Sequence, residues 1–464
     1  MPNKEKQPKV RKEGYVGTKK FWAWESRELS DAGFNFLMGY IVFFCTGVLL
    51  VNPLLVGTLF ALSKVIDGVT DIIAGYIVDR TNTKWGRGRP YDVCLIGAWV
   101  SVIMIFLCPV GWDNGVKTAW IVFWYILANS VFYTFLNAGE GVFMLRAFNK
   151  AQIVKMTAQG NIATSLLGFS CGIVLPQLVN NAGKDPAAWT RLAITVAIPL
   201  TLIGLCRMLF VKEENDTVKI VEEKVKTDLK DIFRMLGKNK YWGIFCFITL
   251  LGNVVSNMGV AVYYFDKVLG NLGIQSVFAA ASVLAVFALV LLPPLMKRFH
   301  LQKILLVGQL ASIVFCLLCF IFYKNIPILV ICYVASMFAT LPGVYAGRLI
   351  LFDAAIYNEY LGLNRMEGTM NSIFGFMKRA GSALGTFLLG VALTVIQYDA
   401  EATTLLPVTE WGLRIMMYGI PLISAALQAL LWSAYDLEKR MPKITEELEE
   451  KTKSDTAGAV TATE

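Results

Sequence analysis

Residues 56–91 read VGTLFALSKVIDGVTDIIAGYIVDRTNTKWGRGRPY. The run up to Val78 carries no charge except Lys64, Asp67 and Asp71, and a short basic loop follows it. Crossing a hydrocarbon core takes about 20 residues in a helix, so the run is long enough to span a membrane. At about 100° per residue, positions 64, 67 and 71 share roughly a 60° arc and form one polar stripe. Ionisable groups at membrane depth are costly and face a cavity or a partner, so the stripe marks the inside of a helix bundle.

The rest of the chain extends this pattern. Of 464 residues, 56% are hydrophobic and only 17% charged, too apolar for a surface facing water. Apolar stretches of spanning length predict helices at 29–50, 54–79, 92–112, 118–144, 155–180 and 190–210, then at 241–265, 274–296, 303–323, 327–352, 369–397 and 411–435. The expected fold is therefore an all-α membrane protein with twelve transmembrane helices in two six-helix bundles, 29–211 and 241–435. Residues 1–28 and 436–464 read as cytoplasmic tails. Residues 212–240 read as a cytoplasmic linker, where Leu229, Ile232, Phe233 and Leu236 recur at the spacing of a short amphipathic helix. The basic N-terminus lacks an apolar core and does not read as a cleaved signal peptide.

Lys and Arg placement orients the chain. The N-terminal tail and alternate loops hold most of them (Arg80, Lys84, Arg87 and Arg89; Arg146, Lys150 and Lys155; Lys297, Arg298 and Lys303), while the intervening loops are nearly bare. The positive-inside rule puts both termini in the cytoplasm of a multi-pass cell (plasma or inner) membrane protein. The net charge of +9 belongs to those loops, so no nucleic-acid partner is expected. The nine cysteines all fall in apolar segments and read as packing residues rather than a disulfide or zinc framework. No G-x-x-x-x-G-K loop occurs, which argues against ATP drive, and the chain is expected to be a carrier and not an enzyme.

Two carboxylates one turn apart, Asp67 and Asp71, repel unless a cation neutralises them, and a hard monovalent ion prefers several oxygen ligands. Thr70 and Thr134 offer hydroxyls. Lys64 is either the counter-ion of the empty site or half of a static ion pair. Further intramembrane polar groups are Asp31 in the first span and Asn137 and Glu140 in the fourth. Tyr40, Tyr133, Tyr263, Tyr264 and Phe374 are candidates for stacking on a sugar ring or for plain helix packing.

The loop residues Gly75, Asp79, Arg80, Lys84, Gly86 and Arg87 echo the G-x-x-x-D-R…R/K-x-G-R/K loop of the major facilitator superfamily. They read as a charged cytoplasmic latch, or as a basic loop that only sets topology. The counterpart in the second half, LMKRFHLQKI, keeps the charge but not the glycines. The quoted stretch also resembles the second helix and following loop of the glycoside-pentoside-hexuronide:cation symporter family, with ungapped spacing back to Asp31. GNVVSNMGVAVYYFDKVLG and DAAIYNEYLGLNRMEGTMNSIFGFMKRAGSALG resemble that family's seventh helix and the region of its eleventh.

The resemblance implies a cation site at Asp67, Asp71 and Thr134, a sugar-binding acid at Asp31, and a basic residue at Arg379 where the family has Lys. Asn137 replaces a galactoside-binding acid, Asn161 a helix-five Arg, and Thr70 an Asn beside the cation site. Glu140, one turn from Asn137, restores a nearby acid. These departures leave galactoside specificity and the choice among Na⁺, Li⁺ and H⁺ open. The expectation is a monomeric cation-coupled symporter of a glycoside, oligosaccharide or uronide, working by alternating access with no organic cofactor and no metal beyond the coupling ion. The rival expectations are a carrier of amphipathic lipids or other solutes, and a transporter-shaped solute sensor.

Overall fold

The computed structural model describes residues 15–213, 234–235, 237–286, 294–296, 298–363, 367–402 and 404–461. Nearly all of them are helical, and among the described residues the only β pairing is an isolated Thr83–Gly86 bridge in the basic loop. The expected amphipathic helix at Leu229, Ile232, Phe233 and Leu236 lies outside the described residues.

Helix α1 runs Thr18–Gly39, continues over Ile41–Phe43 and ends in a π turn at Phe44–Val48. Helix α2 is Pro53–Arg80 and α3 is Cys94–Phe106, entered through a 3₁₀ turn at Arg89–Val93. Helix α4, Asn114–Ile126, passes through a π segment at Leu127–Tyr133 into α5, Thr134–Ala147. Helices α6, Lys150–Ala182, and α7, Pro186–Phe210, follow. The later helices include α8 (Lys240–Asn257), α9 (Val260–Lys267), α10 (Ile274–Ser282), α11 (Leu301–Ile321), α12 (Ile326–Tyr360), α13 (Glu367–Val395), α14 (Pro407–Arg414) and α15 (Ile420–Ser433).

Short polar residues start these helices by satisfying orphan N–H groups. Asp113 accepts from Gly115, Asp185 from Ala187, Asn239 from Trp242 and Asn325 from Ile328. At α6, Asn149 and Gln152 form a reciprocal capping box.

Ten helices among the described residues are long and apolar enough to cross a membrane. Of the two remaining expected spans, 274–296 runs into residues outside the description, and 369–397 falls on α13, whose N-terminal half carries Glu367, Asn371, Lys378 and Arg379. Large apolar side chains stand exposed along the helices, among them Leu62, Val65, Val69 and Ile73 on α2 and Leu202 and Phe210 on α7. Such a surface suits lipid rather than water.

The chain divides into two compact units, Met1–Phe44 with Ile66–Glu222, and Cys45–Val65 with Glu223–Glu464. In the first, Trp189 stacks on Phe106 at 5.5 Å and Trp99 donates to Ser30 Oγ at 2.9 Å. In the second, Trp242, Phe245, Trp432 and Tyr435 share a core with Met370 and Ala354. There Gly381 and Gly385 let α13 lie against α8: a Cβ at Gly381 would stand 2.7 Å from the Leu250 carbonyl oxygen.

Candidate cation and solute site

Helix α2 presents its carboxylates to the π segment and start of α5. Ser130 Oγ donates to Asp67 Oδ1, and Thr134 Oγ1 donates to Asp71 Oδ1 at 3.0 Å. Both pairs are separated by 63 residues, so one turn along α2 matches one turn along its neighbour. The π turn changes the backbone pairing here, and Thr134 Oγ1 also reaches the Asn129 carbonyl at 3.2 Å. Two carboxylates, two hydroxyls and a carbonyl therefore line one seam between α2 and the π segment with the start of α5. The Thr70 hydroxyl donates to the carbonyls of Ile66 and Asp67 in its own helix rather than to either carboxylate. Lys64 is half-buried on α2, one turn before Asp67.

A second cluster lies beside it in the same unit. Arg27, 1% exposed, donates through Nη1 to Asp31 Oδ2 and to Glu140 Oε2 (3.1 Å), and its Nη2 lies 3.4 Å from Asn137 Oδ1. Arg207, fully buried, holds Asp92 with Nε at 3.0 Å and Nη2 at 2.5 Å, and its Nη1 stands 3.3 Å from Glu140 Oε2. Glu140 thus bridges two guanidiniums. Asp31 Oδ1 is buried with no hydrogen-bond partner among the described residues. Tyr133 stacks on Phe34 at 4.8 Å and accepts from Asn35 Nδ2 at 2.9 Å.

Of the residues expected from sequence, Asp67, Asp71 and Thr134 come together, as do Asp31, Asn137 and Glu140. The side chains of Asn161 and Asp79 lie outside the described residues. Arg379 is exposed on α13 in the second unit. Tyr40, Tyr263 and Tyr264 are buried and pack, with Tyr263 Oη and Thr46 Oγ1 2.8 Å apart. Gly75 lies within α2 rather than in the loop, and Arg80 ends that helix with its guanidinium over the Tyr76 ring at 4.0 Å. Gly86 takes a φ of 120° that L side chains rarely adopt, and the Arg87 N–H donates to Glu213 at 2.9 Å.

Sequence reading missed Arg27, Asp92, Ser130, Arg207 and Glu213. Three of these, Arg27, Asp92 and Arg207, are charges inside or at the edge of apolar helices, and that alone could have marked them.

An all-helical major-facilitator-type transporter is the class these features define. The chain belongs to the MFS/sugar transport protein family, whose pattern matches residues 31–439. It is 31% identical over 435 residues to the uncharacterized symporter YnaJ of Bacillus subtilis (strain 168), covering 89% of this chain and 90% of that protein. It is 24% identical to the isoprimeverose transporter of Lactiplantibacillus pentosus, over 92% of this chain and 91% of that one. The glucuronide carrier protein homolog of Escherichia coli (strain K12) is 23% identical, over 90% and 93%. In fold it resembles a D-xylose-proton symporter with a TM-score of 0.61 at 12% identity, covering 88% of this chain and 96% of that one. The protein is thus a multi-pass membrane transporter and not an enzyme.

Proposed function

We propose that the protein is a cation-coupled symporter of a sugar-like solute, a glycoside, oligosaccharide or uronide, that works by alternating access. In this reading Asp67, Asp71, Ser130, Thr134 and the Asn129 carbonyl bind Na⁺, Li⁺ or H⁺, and Asp31, held by Arg27, accepts hydrogen bonds from solute hydroxyls. Twelve helices form two six-helix bundles, 29–211 and 241–435. The protein works as a monomer in the cell membrane with both termini and the 212–240 linker in the cytoplasm.

The observation that carries the reading is the matched pairing of Asp67 with Ser130 and Asp71 with Thr134, one helical turn apart. Two carboxylates so close need a positive charge between them, and the hydroxyls supply neutral oxygens around it. Thr134, Asn137 and Glu140 follow one another at single-turn spacing on α5, so the cation pair and the Arg27 cluster share one rigid element. A shared element lets occupancy of one site bias the other. The isoprimeverose and glucuronide carriers among the relatives support a sugar-like solute.

The test is thermal stabilisation of the purified carrier across a sugar panel, with and without each cation. A solute that raises Tm only modestly alone but strongly with one cation supports coupling. Stabilisation by lipids or other solutes and by no sugar would instead favour a different cargo.

A further inference from the structure

Two glutamates occupy equivalent places in the two units. Glu213 follows α7, and its carboxylate accepts the backbone N–H groups of Arg87 at 2.9 Å, Gly88 at 2.8 Å and Arg89 at 2.8 Å. The neighbouring Arg89 Nε donates to the Met208 carbonyl in the last turn of α7 at 2.8 Å. In the second unit, Glu438 lies in the first turn of the helix Leu437–Thr461 that follows α15, and accepts the N–H groups of Leu301 at 2.9 Å and Gln302 at 3.0 Å. Gln302 Nε2 donates to the Trp432 carbonyl, again in a last turn, at 2.9 Å.

The two contacts are built alike. A carboxylate just beyond one helix takes the orphan N–H groups that open another, and a side chain from those same residues returns a donor to the first helix's end. Charge-assisted bonds to helix-opening N–H groups are among the stronger hydrogen bonds a surface can make. The side-chain sequences differ completely, RGRP in one loop and HLQK in the other, yet the carboxylate-to-backbone contact recurs. Gly86 is bound to this arrangement: besides its φ of 120°, a Cβ there would stand 2.6 Å from Glu213 Oε1.

We propose that Glu213 and Glu438 are a matched pair of positioning residues for transport, each clamping the loop at the start of one helix to the end of another helix of its own unit, α7 for Glu213 and α15 for Glu438. The loop and that helix then move as one body during the conformational cycle. The role in transport rests on the symporter reading above, whereas the clamp itself rests on geometry alone.

The experiment uses the full chain in lipid nanodiscs with Glu213→Gln, Glu438→Gln, the double variant, Glu213→Asp and Gly86→Ala. Hydrogen–deuterium exchange reads the clamp without reference to cargo. Glu213→Gln and Gly86→Ala should speed exchange at residues 86–90 by on the order of tenfold, leaving 300–303 unchanged, and Glu438→Gln should do the reverse. Uptake into proteoliposomes, with the cation and sugar that give the largest thermal stabilisation, reads the role. Each single Gln variant should slow uptake at least about fivefold with solute Kd within about twofold, Glu213→Asp should recover part of the rate, and the double variant should be slower still. Unchanged exchange would overturn the clamp. Faster exchange with normal uptake would overturn the positioning role. If no panel solute is taken up by the unaltered protein, the symporter reading fails, and the exchange result still decides the clamp.

Discussion

Thr134 Oγ1 donates to Asp71 Oδ1 at 3.0 Å and at the same time lies 3.2 Å from the Asn129 carbonyl. One hydroxyl so placed couples a charged ligand to the π turn of the facing helix. Ser130 stands one turn away on Asp67, completing a set of oxygens of the kind a hard monovalent ion takes.

Ser130→Ala should weaken cation binding without touching solute binding in the absence of cation. Losing one hydrogen bond to a charged group costs about 1.5–3 kcal/mol, or roughly a ten- to hundredfold rise in cation Kd. Thr70→Val should change cation Kd far less, because the Thr70 hydroxyl donates to its own helix backbone and to neither carboxylate. Calorimetric titration of Na⁺, Li⁺ and protons into the two variants compares them, and equal losses would show that Thr70 turns to the ion.

Arg27→Lys should keep the positive charge but lose the planar fork that reaches Asp31, Glu140 and Asn137 together. Solute Kd should rise by about tenfold, with cation Kd nearly unchanged. Isothermal titration of each ligand separately distinguishes this from a general loosening of the fold, which would raise both.

Asp92→Asn should strip Arg207 of its buried partner and lower stability by about 3–5 kcal/mol. Asp92→Asn with Arg207→Gln should recover part of that loss, since the buried guanidinium that Asp92 neutralised is gone and Glu140 keeps Arg27 as its partner. Thermal unfolding of the detergent-solubilised protein measures both. A double variant less stable than Asp92→Asn alone would mean that Arg207 is held mainly by Glu140.

Single cysteines at Asn82 and Lys238 should be labelled only from the cytoplasmic side, and at Asn114 and Lys184 only from outside. All four positions are exposed, whereas the nearby Asn239 and Ala182 are buried and would report poorly. Reversed labelling by a membrane-impermeant maleimide would overturn the assigned orientation.

The stripe of Lys64, Asp67 and Asp71 was legible in the sequence because helical spacing alone puts those charges on one face. Their partners were partly legible: Thr134 was read as a hydroxyl donor and again from resemblance, while Ser130 gave no signal, since a serine in an apolar run is ordinary. Arg27 escaped because the first span was expected to begin at residue 29, two residues beyond it. The helix begins at Thr18, and Arg27 is tolerated inside it because Asp31 and Glu140 neutralise it, a fact that exists only in three dimensions. Arg207 and Asp92 are hidden in the same way, being 115 residues apart in the chain. Glu213 was read as one more charge of the linker, because nothing in sequence announces a carboxylate that binds backbone.

The division of labour between the two clusters is the central claim, and titration of Na⁺ and of solute into Asp67→Asn, Asp71→Asn and Asp31→Asn tests it most directly. Removing either α2 carboxylate should weaken the cation by orders of magnitude, at about 1.4 kcal/mol per decade, and abolish the tightening of solute by cation and of cation by solute. Asp31→Asn should weaken the solute by about 1–3 kcal/mol through its unpaired hydroxyls, with cation affinity nearly intact. Loss of Na⁺ binding in Asp31→Asn together with unchanged Na⁺ binding in Asp71→Asn would contradict the account.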